Sequence, residues 1–139
     1  MVVIAAVDRS DRSADVVREA ETLAAKFDEP LHIVHALTRS ELVDLGRSAQ
    51  AGESSDKDRI RDVAADIADE AASGLSMPYE TVGLVGEPAS AILDYAETQE
   101  TRYLVVGPRK RSPAGKALFG SVAQSLLLDS EYPLVTITN

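Results

Sequence analysis

Hydrophobic positions along the chain fall into two kinds of segment. Val2 to Val7, Leu31 to Leu37, Tyr103 to Val106 and Leu134 to Thr138 are short runs dominated by Val, Ile, Leu and Ala. Runs of that length without strict alternation are what parallel strands covered on both faces need. Tyr79 to Val85 alternates more and carries Glu80, the pattern of a strand at a sheet edge. The second kind recurs at helical spacing. Val16, Val17, Ala20, Leu23, Ala24 and Phe27 predict a helix capped by Ser10 and stopped before Pro30. Ile60, Val63, Ala64, Ile67, Ala68 and Ala71 predict another, running from about Lys57 to a stop at Gly74. Ala89, Ile92, Leu93 and Ala96 follow Pro88, which suits a first helical turn, and Val122, Ala123, Leu126 and Leu127 give a last helix. Residues 38 to 56 carry Gly46, Gly52 and several Ser and Glu with no strong period, and read as a long connection with one short helical turn.

Five strands alternating with four helices imply right-handed crossovers and an α/β fold: one open five-stranded parallel sheet with helices on both faces. No repeat or low-complexity tract divides the chain, so residues 1–139 read as a single domain. Ligands of such open sheets bind outside the carboxyl ends of the strands, where the strand order reverses. With order 3-2-1-4-5 the first and fourth strands are neighbours, and Asp8 and Gly107 both lie at that crevice.

Composition narrows the classes of function. Asp and Glu number 23 against 14 Lys and Arg, for a formal net charge of -9, and only four of the basic residues are Lys. That balance argues against general nucleic-acid binding, which rewards a basic face. An acidic, Lys-poor surface suits a high-salt cytoplasm and equally an ordinary acidic bacterial or archaeal protein. Cysteine is absent, which excludes disulfides, thiolate metal sites and cysteine nucleophiles and agrees with a reducing cytoplasm. Neither a signal peptide nor an apolar run of membrane-spanning length is present, so a soluble cytoplasmic protein is expected.

The chemistry-bearing stretch runs from Leu104 to Val122. The apolar run stops at Gly107, and Arg109, Lys110, Arg111 and Lys116 then place four of the 14 basic residues within eight positions. Gly120-Ser121 opens the last helix, whose first N–H groups have no intrahelical acceptor. A cationic loop ending there is a physically sensible phosphate cradle, and equally a solvated basic loop. Ser121 reads as a phosphate contact, a helix cap, or both; Asp8 reads as a ligand contact or as an acceptor for the following turn. His32 and His35, three apart in one strand, point to opposite faces and do not form a joint metal site. Asp66 and Asp69 fall on the outward side of their helix. There is no G-x-S-x-G, H-E-x-x-H or complete G-x-x-x-x-G-K-[ST] motif, so an enzyme is not indicated.

These residues resemble the universal stress protein family over essentially the whole chain. Val3 to Ser10 is similar to that family's first strand ending in Asp-x-Ser, Leu31 to Leu37 to its second strand, and Gly86 to Ile92 to its third-helix entry. Its nucleotide-binding members carry G-x2-G-x9-G-[ST]. Gly107 matches the first Gly and Gly120-Ser121 the last pair, while Lys110 stands where the second Gly is expected. The resemblance implies a Rossmann-like fold of the adenine nucleotide alpha hydrolase type. It also implies ATP or another adenine nucleotide as ligand, with Mg2+ accompanying it, and a homodimer formed through the last strand. Asp8 then lies at the adenine and ribose end, Ala36 encloses the base, and Gly107, Arg109, Lys110, Gly120, Ser121 and Val122 surround ribose and phosphates. A member binding no nucleotide and acting through protein contacts, or a slow nucleotide hydrolase, are the alternatives. At Lys110 two effects oppose one another. A glycine-favouring loop conformation would cost lysine about 1 kcal/mol, whereas its ammonium would attract phosphate.

Overall fold

The computed structural model of the chain describes residues 1–45, 53–108, 110–111 and 117–138, with the side chains of 53–55, 110, 111, 117 and 118 left aside. Strands β1 (Val2–Ala6), β2 (Leu31–Leu37), β3 (Glu80–Val85), β4 (Thr101–Val106) and β7 (Leu134–Thr136) form one five-stranded sheet in the order β3-β2-β1-β4-β7. Every pairing is parallel, with Ile4 opposite both His32 and Leu104. This is the expected 3-2-1-4-5 arrangement, with β1 and β4 adjacent at the reversal.

Helices lie on both faces. Helices α1 (Ser13–Phe27) and α3 (Glu53–Ala71) cover one, where Val16, Val17, Ala20 and Ala24 of α1 and Ala68 of α3 pack with Val3, Ala5, Ile33 and Val105. Helices α4 (Pro88–Thr98) and α5 (Ser121–Asp129) cover the other, where Ala89, Ile92, Ala96 and Leu126 meet Ile4, Val34, Leu104 and Val106. Because successive strand residues face opposite sides, the uninterrupted apolar runs serve both layers at once. The short helix α2 (Arg39–Asp44) matches the single helical turn expected after the second strand. A capping box holds it: Thr38 Oγ1 accepts from the Glu41 amide while the Glu41 carboxylate accepts from the Thr38 amide. Its buried Leu42 meets Leu37, Ile60 and Ala64 in a small satellite core.

Several expectations change in detail. The cap of α1 is Arg12, not Ser10, because the Ser10 amide and hydroxyl are both given to Asp8. That helix ends before Pro30 because Asp28 enters the left-handed region at φ 53°, ψ 49°, and its amide bonds the Ala25 carbonyl. Phe27 is 41% exposed, with Arg102 stacked over its ring at 4.6 Å. Helix α3 stops at Ala71, short of Gly74. Leu127 is 64% exposed and Leu128 81%, so Leu126 alone is the fully buried leucine of α5. The last strand ends at Thr136 rather than Thr138. The basic stretch also contains two short strands, β5 (Lys110–Arg111) and β6 (Ala117–Leu118), which pair antiparallel as a separate ribbon.

Two glycines are required by close approach. A Cβ on Gly83 of β3 would fall 1.9 Å from the Arg61 carbonyl oxygen, so α3 rests directly on the strand backbone there. A Cβ on Gly107 would fall 2.7 Å from Cγ2 of Val16, at the start of the crevice.

Candidate functional site

The carboxyl ends of β1, β2 and β4 enclose a cavity of about 270 Å3. Asp8, Ala36, Gly107, Gly120, Ser121 and Val122, six of the eight expected site residues, line it. Arg109 lies outside the described residues. The backbone of Lys110 pairs with Leu118 in the ribbon. An extended pairing of this kind suits any L residue, so the conformational penalty against lysine is not a demand of the ribbon.

Asp8 follows β1 and organises the turn into α1. Its Oδ1 accepts from the Ser10 amide at 2.8 Å, the Ser10 hydroxyl at 2.6 Å and the Ser13 hydroxyl at 3.0 Å. Its own amide donates to Ser13 Oγ at 2.9 Å. Burial pushes the carboxyl up, but the Ser10 hydroxyl and amide, the Ser13 hydroxyl and the Arg12 guanidinium outweigh it and hold the pKa below the usual carboxylate range. Asp8 is therefore ionised at neutral pH; it accepts for its own turn, and it also lines the cavity.

Across the crevice, Gly120 is the N-cap of α5 in extended conformation (φ -76°, ψ -179°), and no side chain caps the helix. Ser121 is thus the first helical residue rather than the cap, and it is exposed. Unsatisfied amides and the positive end of the helix dipole face the same space as Gly107, an arrangement that accepts an anion. Ile92 of α4 and Leu126 of α5 supply an apolar wall.

Among the lining residues, Arg12 and Ser13 were not singled out from the sequence, and His35 was considered there only as half of a metal pair. Arg12 donates its Nε–H to the Pro108 carbonyl at 3.2 Å, joining the β1 side to the β4 side over 96 positions of chain. Ser13, buried in the structure, holds the Asp8 turn. His35 bonds the Val7 carbonyl through Nδ1 at 2.7 Å, and since a carbonyl only accepts, that nitrogen carries the proton. His32 lies on the opposite face, with Nδ1 2.7 Å from the Tyr95 hydroxyl and Nε2 3.3 Å from Glu80. Among the described residues no group of three or more His, Asp or Glu could hold a metal ion, and no helix is long and apolar enough to cross a membrane.

Comparison with known proteins is decisive at this point. Residues 1–138 match the model of the Universal stress protein family. The chain belongs to the universal stress protein family. A universal stress protein of Mycolicibacterium smegmatis is 35% identical over 115 residues, spanning 82% of this chain and 79% of that protein. A universal stress protein solved in complex with cAMP aligns over 99% of this chain and 96% of its own, with TM-score 0.69 and 22% identity. The universal stress protein of Archaeoglobus fulgidus in complex with dAMP covers 100% of this chain and 98% of its own, with TM-score 0.60 and 24% identity. Both share the fold described above.

Proposed function

We propose that this universal stress protein binds an adenine nucleotide in the crevice between β1 and β4 and acts as a small nucleotide-binding stress-response module. The carrying observation is the convergence of Asp8, Ala36, Gly107, Gly120, Ser121 and Val122 on one cavity at the uncapped start of α5. Similar folds solved with cAMP and dAMP support the ligand class. The base and ribose occupy the space beside Ala36 and Asp8, where Ile92 and Leu126 give apolar surface. The phosphates lie towards Gly107 and the first amides of α5. An enclosed volume of about 270 Å3 suits a nucleoside with its phosphates at the open side, being close to the lower end of the range of roughly 300–1,000 Å3 for small-molecule sites. ATP accompanied by Mg2+ is the fuller form of the reading, the ion carried on the phosphates. Arg109 and Lys110 complete the phosphate side. The absence of cysteine fits a reducing cytoplasm.

The working form is a homodimer through β7. That strand closes one edge of the sheet, has no charged residue, and on its outer side pairs with no strand among the described residues. A monomer in light scattering at micromolar concentration and above would refute the dimer. Mass spectrometry of nucleotide released on denaturing the purified protein, with calorimetric titration by AMP, cAMP and ATP, tests the ligand. Absence of all binding would leave the second reading, a member acting through protein contacts, which Lys110 in place of the second motif glycine favours.

A further inference from the structure

We propose that Arg12 is the residue by which the crevice selects a phosphorylated ligand, a reading that rests on the nucleotide site proposed above. The sequence put every candidate phosphate-binding cation on the stretch from Arg109 to Lys116, whereas Arg12 approaches from the other side of the cavity. Its Nε–H is fastened to the Pro108 carbonyl at 3.2 Å, which fixes the guanidinium plane across the mouth between β1 and β4. The two terminal amino groups have no hydrogen-bond partner or ion pair among the described residues. Asp8 feels the Arg12 charge but takes its hydrogen bonds from Ser10 and Ser13 instead.

Four of the other described arginines are tied to carboxylates, whereas the buried Nε of Arg59 has no hydrogen-bond partner among the described residues. Arg18, Arg39, Arg61 and Arg102 are paired with Asp15, Asp56, Asp58 and Glu29 respectively. In a chain of net charge -9, a guanidinium held over a cavity and outside any salt bridge among the described residues is open to an anionic ligand. A planar fork with its terminal N–H groups free matches two oxygens of one phosphate. The same space is served by the uncapped amides at the start of α5, so the two positive features grip a phosphate from opposite walls. A neutral nucleoside gains nothing from either.

Titration of adenosine, AMP and ATP into the parent, Arg12→Gln and Arg12→Met separates the roles. The expected result is a loss of about tenfold or more for AMP and ATP in both variants, adenosine within about twofold, and a shallower dependence of AMP affinity on salt. Arg12→Lys, keeping the charge, should recover part of the loss for AMP. Equal losses for adenosine and AMP would overturn the proposal by showing Arg12 to be only a fastener of the crevice, and unchanged AMP affinity would overturn it too. A parent that binds none of the three ligands would instead refute the nucleotide site itself, and this proposal with it.

Discussion

The two walls of the crevice are built on opposite principles. On the β1 side Asp8, Ser10 and Ser13 satisfy one another through a closed set of hydrogen bonds between 2.6 and 3.0 Å. On the β4 side Gly107 and Gly120 bring backbone to the surface, and α5 begins with no side-chain cap. A wall whose polar groups are already paired gives shape and has little to gain from a ligand. One that leaves amides open is stabilised when an anion arrives. The difference teaches where affinity resides: the first wall fixes the geometry, and the second, with Arg12 reaching over to it, supplies the attraction.

The largest expected effect breaks the spacing between the walls. Gly107→Ala forces a methyl to within 2.7 Å of Val16 Cγ2. Overpacking at this tight, stiff contact should destabilise the fold by about 1–3 kcal/mol and weaken nucleotide binding. Adding Val16→Ala should return much of that stability, and a double-mutant cycle by urea unfolding measures the coupling.

Next in size is the closed wall itself. Ser13→Ala removes the hydroxyl shared between the Asp8 amide, carbonyl and carboxylate, so a loss of about 1–2 kcal/mol in denaturant unfolding is expected. Stability unchanged within error would mean that water replaces this hydroxyl without loss and that the wall is not prebuilt.

Acid titration sharpens the same contrast. The folded-state pKa of Asp8 lies below its ordinary value. Its contribution is therefore fully present above the ordinary carboxylate pKa of about 4 and disappears as pH falls through the depressed folded value. Asp8→Asn should show a flatter decline in stability from neutral pH into that acid range than the parent does. Parallel curves for the two proteins would contradict the assignment.

The smallest effect is expected on the open wall. Since Lys110 pairs in an extended ribbon, Lys110→Gly relieves no strain there. Affinity for ATP should be at least that of the parent, within about twofold, with the fold intact. A tenfold loss in calorimetry, about 1.4 kcal/mol, would make Lys110 the principal phosphate ligand in place of Arg12.

The order of strands and the two-sided core were legible because unbroken runs such as Val2 to Val7 have few other uses. Asp8, Gly107 and Gly120 were legible because a strand end and a helix start must meet at the reversal of strand order. Arg12 and Ser13 were not, since nothing in a turn's composition tells which polar side chain folds back and which reaches across. The β5–β6 ribbon was hidden for a related reason: Arg, Lys, Pro and Gly carry no strand periodicity, and each of its strands is only two residues long. Ser121 misled as a cap because the chain places Gly120 one residue earlier in that role. Leu127 misled because a nine-residue helix presents only a narrow inner stripe.

The brevity of β7 sets a clock for the molecule. Three paired residues, Leu134, Val135 and Thr136, with two further bonds, from the Leu104 amide to the Pro133 carbonyl at 3.0 Å and from the Ile137 amide to the Val106 carbonyl at 2.8 Å, make the backbone pairing of this edge to β4. Local opening begins where few rungs must break together. In the single chain, amides of β7 should therefore exchange with deuterium well ahead of those of β1, which is paired on both sides, and pairing through β7 in the proposed dimer should slow that exchange. Because β4 runs directly into Gly107, opening of β7 would bare the strand that carries one wall of the crevice.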